Sequence, residues 1–123
     1  MATANETVKK VLDNLNQRIS SVGGVVDKWS DGNGNWWRKY ADGFVEQGGF
    51  LAGSEGVNVT FNTSFTSTNY SFLVCPICPV EGESGSYASR EVSGRRTTSS
   101  TRCYVNTWGG DNGRFGTWFA CGY

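Results

Sequence analysis

The chain has 123 residues, with eleven acidic side chains against eleven basic ones and a formal net charge of zero. That length supplies one core, and nothing in the charge balance marks a nucleic-acid backbone as partner. There is no histidine, which removes the commonest general base and every Ser–His or Cys–His nucleophile pairing. No apolar run approaches the roughly 20 residues that span a bilayer, so membrane insertion is not expected. The N-terminus lacks the charged-then-apolar layout of a secretory signal, which makes synthesis in a cytoplasm the default. Seventeen glycines, 17 aromatics and only two prolines fit short strands joined by Gly, Ser and Asn turns. The expected class is mainly β, a small antiparallel sandwich.

One helix is expected, from residue 5 to about 22. Thr3 and Glu6 have capping-box spacing, with Asn5 as a rival N-cap, and Gly23-Gly24 stops the helix. Val8, Leu12, Leu15, Ile19 and Val22 fall four, three, four and three residues apart, and Val26 continues the series. A stripe that narrow is a heptad seam, suited to packing helix on helix between chains rather than onto a globular core. Leu at a with Val at two d positions favours more than two strands. The competing reading is an ordinary amphipathic helix packed on its own domain. The division drawn here is residues 1–26 as a trimerising coiled coil and neck, and 27–123 as a β head.

Residues 25 to 35 read as a connection ending in the dense turn Asp31-Gly32-Asn33-Gly34. Its alternating Asp31, Asn33 and Asn35 lack the downstream Glu of a calcium loop, so no metal site is expected. Trp36 to Gly49 reads as a hairpin turned at Asp42-Gly43 by a two-residue type I′ turn, with φ above zero at both positions. Alternation puts Trp36, Arg38 and Tyr40 on one face and Trp37 and Lys39 on the other, with Glu46 pairing Arg38 or Lys39 across the hairpin.

Val57, Val59 and Phe61 alternate inward along the next strand. A further strand is expected over Thr68–Val74, and its unbroken apolar end, Phe72 to Cys75, predicts burial on both faces. Residues 81 to 102 form a long polar excursion of the kind that serves as a binding loop. Thr101 to Thr107 reads as a strand with Cys103 and Val105 opposite Tyr104 and Asn106. A glycine-rich loop, Trp108 to Gly116, leads to the closing strand Thr117–Tyr123.

Four cysteines stand at 75, 78, 103 and 121. Cys75-Pro-Ile-Cys78 has the spacing of zinc and redox motifs, but no second CxxC and no histidine complete a site. Buried free thiols are the preferred reading, with disulfides open if the protein works outside the cell. No cofactor is implied.

Two motifs carry a resemblance. Trp36-Trp37-Arg38-Lys39-Tyr40-Ala41-Asp42-Gly43-Phe44-Val45-Glu46-Gln47-Gly48-Gly49, followed by Val57-Asn58-Val59-Thr60-Phe61, resembles the opening of the C-terminal domain of tailed-bacteriophage tail-fibre proteins. Trp118-Phe119-Ala120-Cys121-Gly122-Tyr123 is similar to that family's closing strand. The resemblance covers residues 34 to 123. It implies the host-binding tip of a homotrimeric fibre, a virion component; so short a chain with a bare stalk is expected to be a fragment of a longer fibre.

Carboxylates are few and sit beside turns, so catalysis is not expected; the resemblance then implies non-enzymatic attachment to a bacterial glycan such as lipopolysaccharide or capsule, or to an outer-surface protein. Sugars present C–H faces to Trp and Tyr, and hydroxyl or acidic groups to Arg, Asn and Asp. The candidate ligand contacts are therefore loop residues: Tyr87, Arg90, Arg95 and Arg96 in the polar interval, and Trp108, Asp111, Asn112 and Arg114 in the glycine-rich loop. The strand aromatics Trp36, Trp37, Tyr40, Phe44, Trp118 and Phe119 are assigned to core or subunit interface instead. The alternative class is a trimerising, fibre-capping module with no ligand, and a third is a hydrolase.

Overall fold

A computed structural model describes residues 3–21, 24–78, 87–107 and 111–123, without the side chains of 19–21. Helix α1 spans Ala4–Ser21. Its start is a reciprocal cap: the Glu6 N–H donates to Thr3 Oγ1 (3.3 Å) and the Thr3 N–H to Glu6 Oε2 (2.9 Å). All described side chains of the helix are exposed, Val8 at 57%, Leu12 at 54% and Leu15 at 49%. The helix does not pack on its own domain through these residues. Ile19 (as a side chain) and Val22 lie outside the description.

Eight strands follow: β1 Val25–Ser30, β2 Trp36–Tyr40, β3 Val45–Leu51, β4 Glu55–Thr60, β5 Ser71–Pro76, β6 Ala88–Glu91, β7 Ser100–Asn106 and β8 Gly116–Gly122. They form two antiparallel sheets, one of five strands in the order β1-β2-β3-β8-β5 and one of three in the order β4-β7-β6. The chain is mainly β, and the two layers share one core. Val45, Leu51, Trp118 and Ala120 contribute from the larger sheet, Val59, Cys103 and Val105 from the smaller. Phe61, Phe65 and Tyr70 fill the end nearest the helix, their rings 4.7–5.1 Å apart, a separation at which edge and offset contacts are favourable.

The Gln47-Gly48-Gly49 run shows why this sequence makes this sheet. Gln47 is fully buried, and its amide donates to Thr63 O (2.8 Å) and accepts from the Thr63 N–H (3.0 Å), so no polar atom is left unpaired. Gly48 lies against the Trp36 indole on the outer face, and Gly49 against that of Trp118 on the inner one. Each glycine removes the side chain that a Trp then covers.

The strand register fixes two ends. Helix α1 leads to the end bearing the Ala41–Gly43 turn, where the Ala41 N–H donates to Gly24 O and the Tyr123 hydroxyl to Asp42 Oδ2 (3.2 Å). The opposite end carries the Asp31–Asn35 turn, residues 52–54, Ile77 and the Asp111–Arg114 turn.

Several expectations need correction. Residues 25 to 30 are an edge strand, not a connection. Val26 is not a further heptad residue; it sits where the β1–β2 register shifts between Val25 and Asp27. The Asp42-Gly43 turn is a three-residue loop: the Tyr40 N–H donates to Phe44 O, the Gly43 N–H to Tyr40 O, and only Gly43 has positive φ (90°). This is a type I turn closed by a left-handed glycine. Glu46 stands opposite Arg38 but accepts the Tyr40 hydroxyl (2.7 Å) rather than a cation. β5 alternates, with Phe72 and Val74 inward and Leu73 and Cys75 exposed. The polar interval contains a strand, β6.

Candidate functional site

The structure divides the sequence-derived candidates among three places. Asp111 and Arg114 exchange two backbone hydrogen bonds of 2.8 Å around Asn112-Gly113, whose φ angles of 51° and 75° make a type I′ turn. The Arg114 guanidinium lies 4.0 Å from the centre of the Phe50 ring, which pins the turn to β3. Tyr87, half-buried, precedes β6 at the same end of the head. Trp108 lies outside the described residues.

Arg95 and Arg96 are at the other end, in the segment returning from β6 to β7. Arg95 is exposed. Arg96 serves the protein's own interior: Nε and Nη2 grip Glu91 at 2.8 and 2.6 Å, Nη1 donates to Tyr70 O, and the guanidinium lies 4.6 Å from the Tyr70 ring centre. Burial alone would raise the Glu91 carboxyl. The hydrogen bonds from Arg96 and from Thr101 Oγ1 (2.5 Å), with the Arg96 charge, outweigh burial and hold it below its ordinary value. Arg96 thus acts as a structural clamp, with its side chain still 35% exposed.

Arg90 belongs to neither end. It projects from β6 on the outer face of the three-stranded sheet, its guanidinium 4.3 Å from the centre of the Tyr104 ring. One strand away, Arg102 Nη1 donates to Asn58 Oδ1 (3.3 Å). Reading the sequence did not single out Arg102, Tyr104 or Asn58. Alternation along Thr101–Thr107 had already set Tyr104 opposite the core residues, but which strands flank it is not written in that segment.

Concavities border these elements, among them one of about 550 Å³ lined by Glu91, Val92, Ser93, Gly94 and Arg96. One of about 470 Å³ lies between β3 and β4, lined by Asn35, Phe50, Ser54, Gly56, Asn58 and Trp118 among others. One of about 320 Å³ opens on the outer face of the larger sheet, lined by Trp36, Leu73, Cys75 and Phe119 among others. The Trp36 and Phe119 rings are 6.1 Å apart there, and Leu73 is 66% exposed. Among the described residues no three His, Cys, Asp or Glu side chains gather as metal ligands, and no helix is long and apolar enough to cross a membrane.

No protein-family model matches the sequence, and no curated protein matches it. A solved structure, that of an N-truncated R2-type pyocin tail fibre, is similar to 85% of this chain with a TM-score of 0.53 and 17% identity. The match takes in 41% of that fibre chain, so this chain spans less than half its length. At this identity the likeness is one of fold: the chain is a mainly β domain of the kind found in a tail fibre.

Proposed function

We propose that the chain is the receptor-attachment tip of a phage-type tail fibre, a virion component that works as a homotrimer and performs no catalysis. The observation that carries this reading is the tail-fibre fold, shared over 85% of the chain. The uncovered helix supports the trimer, because half-exposed Val8, Leu12 and Leu15 on a heptad seam find their partners in other copies of themselves. Leu73, exposed beside Trp36 and Phe119, supports the outer face of the five-stranded sheet as the side turned toward those copies. The receptor is a bacterial surface glycan, with an outer-surface protein as the near variant. Three weak sites on one tip raise avidity by roughly 10²–10⁴ without any new contact.

Fluorescently labelled chain is added to a panel of Gram-negative and Gram-positive cells, with its mass measured by light scattering. The expected result is a three-chain particle that decorates some cells and leaves purified surface polysaccharide at its original length. A particle that decorates none returns the chain to the class of structural capping modules. Shortened polysaccharide makes it a hydrolase.

A further inference from the structure

Among the described residues, the charged side chains that the strands place on the outer face of the three-stranded sheet are arginines. Strand pairing puts Gly56 and Asn58 of β4, Arg102 and Tyr104 of β7, and Arg90 of β6 on that face. Two acids lie on the same strands. Glu91 alternates to the inner side, where Arg96 and Thr101 hold it, and Glu55, exposed and with a φ of 63°, starts β4 opposite Val105 and not opposite either arginine. In a chain with as many acids as bases, two arginines on a face where the described strand residues include no acid form a local excess, and neither has an ion pair among the described residues.

We infer that this face binds acidic saccharides, with Arg90 and Arg102 holding a carboxylate or phosphate on the sugar. The inference rests on the attachment reading and gives it a site. Both guanidinium groups are positioned before any ligand arrives: Arg90 lies against Tyr104, and Arg102 is bonded to Asn58 and lies across Gly56, where a β-carbon would collide with it. Fixing long side chains in advance reduces the entropy lost on binding. A guanidinium fork matches a carboxylate or phosphate through two parallel hydrogen bonds, which lysine cannot supply. A single surface Arg–Tyr contact would be ordinary stabilisation, worth about 0.5–1 kcal/mol. Here a second fork stands one strand away. Beside it Gly56 and Asn58 form part of the 470 Å³ concavity, whose Asn35, Ser54 and Thr60 suit hydroxyls.

The test uses the whole chain and three probes in titration calorimetry: oligogalacturonate for carboxylate, a phosphorylated mannan oligosaccharide for phosphate, and neutral maltohexaose. At least one acidic probe is expected to bind, more weakly as salt is raised, with maltohexaose weaker by roughly tenfold or more. The acidic probe that binds names the group recognised. Arg90→Ala and Arg102→Ala should each lose roughly tenfold or more, Arg102→Lys should lose part of that, and Lys10→Ala on the helix should lose nothing. Should Arg102→Ala melt early, Arg102→Lys, which keeps the charge and stem, decides. Equal binding of neutral and acidic probes, no acidic binding, or wild-type affinity in the arginine variants overturns the inference. An Arg90→Ala/Arg102→Ala double variant that still decorates cells as the wild type does overturns this site and leaves attachment standing. A wild type that decorates no cells removes attachment, while the probe titrations still judge this face.

Discussion

Gly49 and Trp118 stand opposite each other on β3 and β8, and the indole nitrogen of Trp118 lies 2.9 Å from where a β-carbon on Gly49 would be. Neither backbone can withdraw, because the strands are paired along their full length. Gly49→Ala is expected to destabilise the head by about 1–3 kcal/mol through overpacking and to lower its melting temperature by several degrees. Alanine at Gly53, where the nearest atom would be 3.8 Å away, is the comparison. Equal melting of the two variants would show that Trp118 and the Asn35 side chain, which lies nearer still, both shift freely.

The Glu91–Arg96 clamp sets an acid limit. The Glu91 carboxyl is held below its ordinary value in the folded chain, and in the unfolded chain it titrates near about 4.3. A depressed carboxyl stabilises fully above the unfolded value and loses that contribution as pH falls through the folded one. Glu91→Gln should therefore cost about 1–2 kcal/mol at neutral pH, discounted because the Arg96 side chain is 35% exposed. The difference from wild type should narrow below pH about 4. Urea melts of both proteins across that range check it, and a constant difference down to pH 3 contradicts it.

Leu12→Asp with Leu15→Asp places like charges along the heptad seam. The expected outcome is a fall in mass from three chains to one, with cell attachment reduced by roughly 10²–10⁴. The far-ultraviolet spectrum of the head should survive, since no described side chain of the helix is buried against it. A mass unchanged by both substitutions assigns assembly to the head alone.

Burial pushes the Cys103 thiol up to about 11, and the nearby Glu91 charge adds to the effect. Cys75, by contrast, is exposed. Iodoacetamide at mild alkaline pH should modify Cys75 in the native chain and reach Cys103 only after denaturant is added. Modification of both at one rate in native protein would contradict a closed core.

The strands that the sequence reveals are those whose side chains alternate under one-sided burial: Val57 to Phe61, Thr101 to Thr107 and the closing strand. The helix cap was legible too, since Thr3 and Glu6 act locally. β1 was hidden because Val26 continues a helical spacing across two glycines, and an edge strand with every residue exposed carries no inward stripe. β6 was hidden because Ala88-Ser89-Arg90-Glu91 has no apolar residue beyond one alanine. The run Phe72-Leu73-Val74-Cys75 looked doubly buried because it lacks polar residues, yet in the single chain Leu73 faces out. For the candidate site, the Asn112-Gly113 turn was visible as turn chemistry. The meeting of Arg102 with Asn58 spans 44 residues and depends on which strands adjoin, which no local pattern records.

β1 is also one of the two open edges of the five-stranded sheet. It is six residues long, exposed throughout, distorted where its register slips past Val26, and it carries Asp27 and Lys28 side by side. A border of that kind rejects an incoming strand from another copy. Along this border, then, a neighbouring copy meets side chains and not an open row of backbone donors and acceptors.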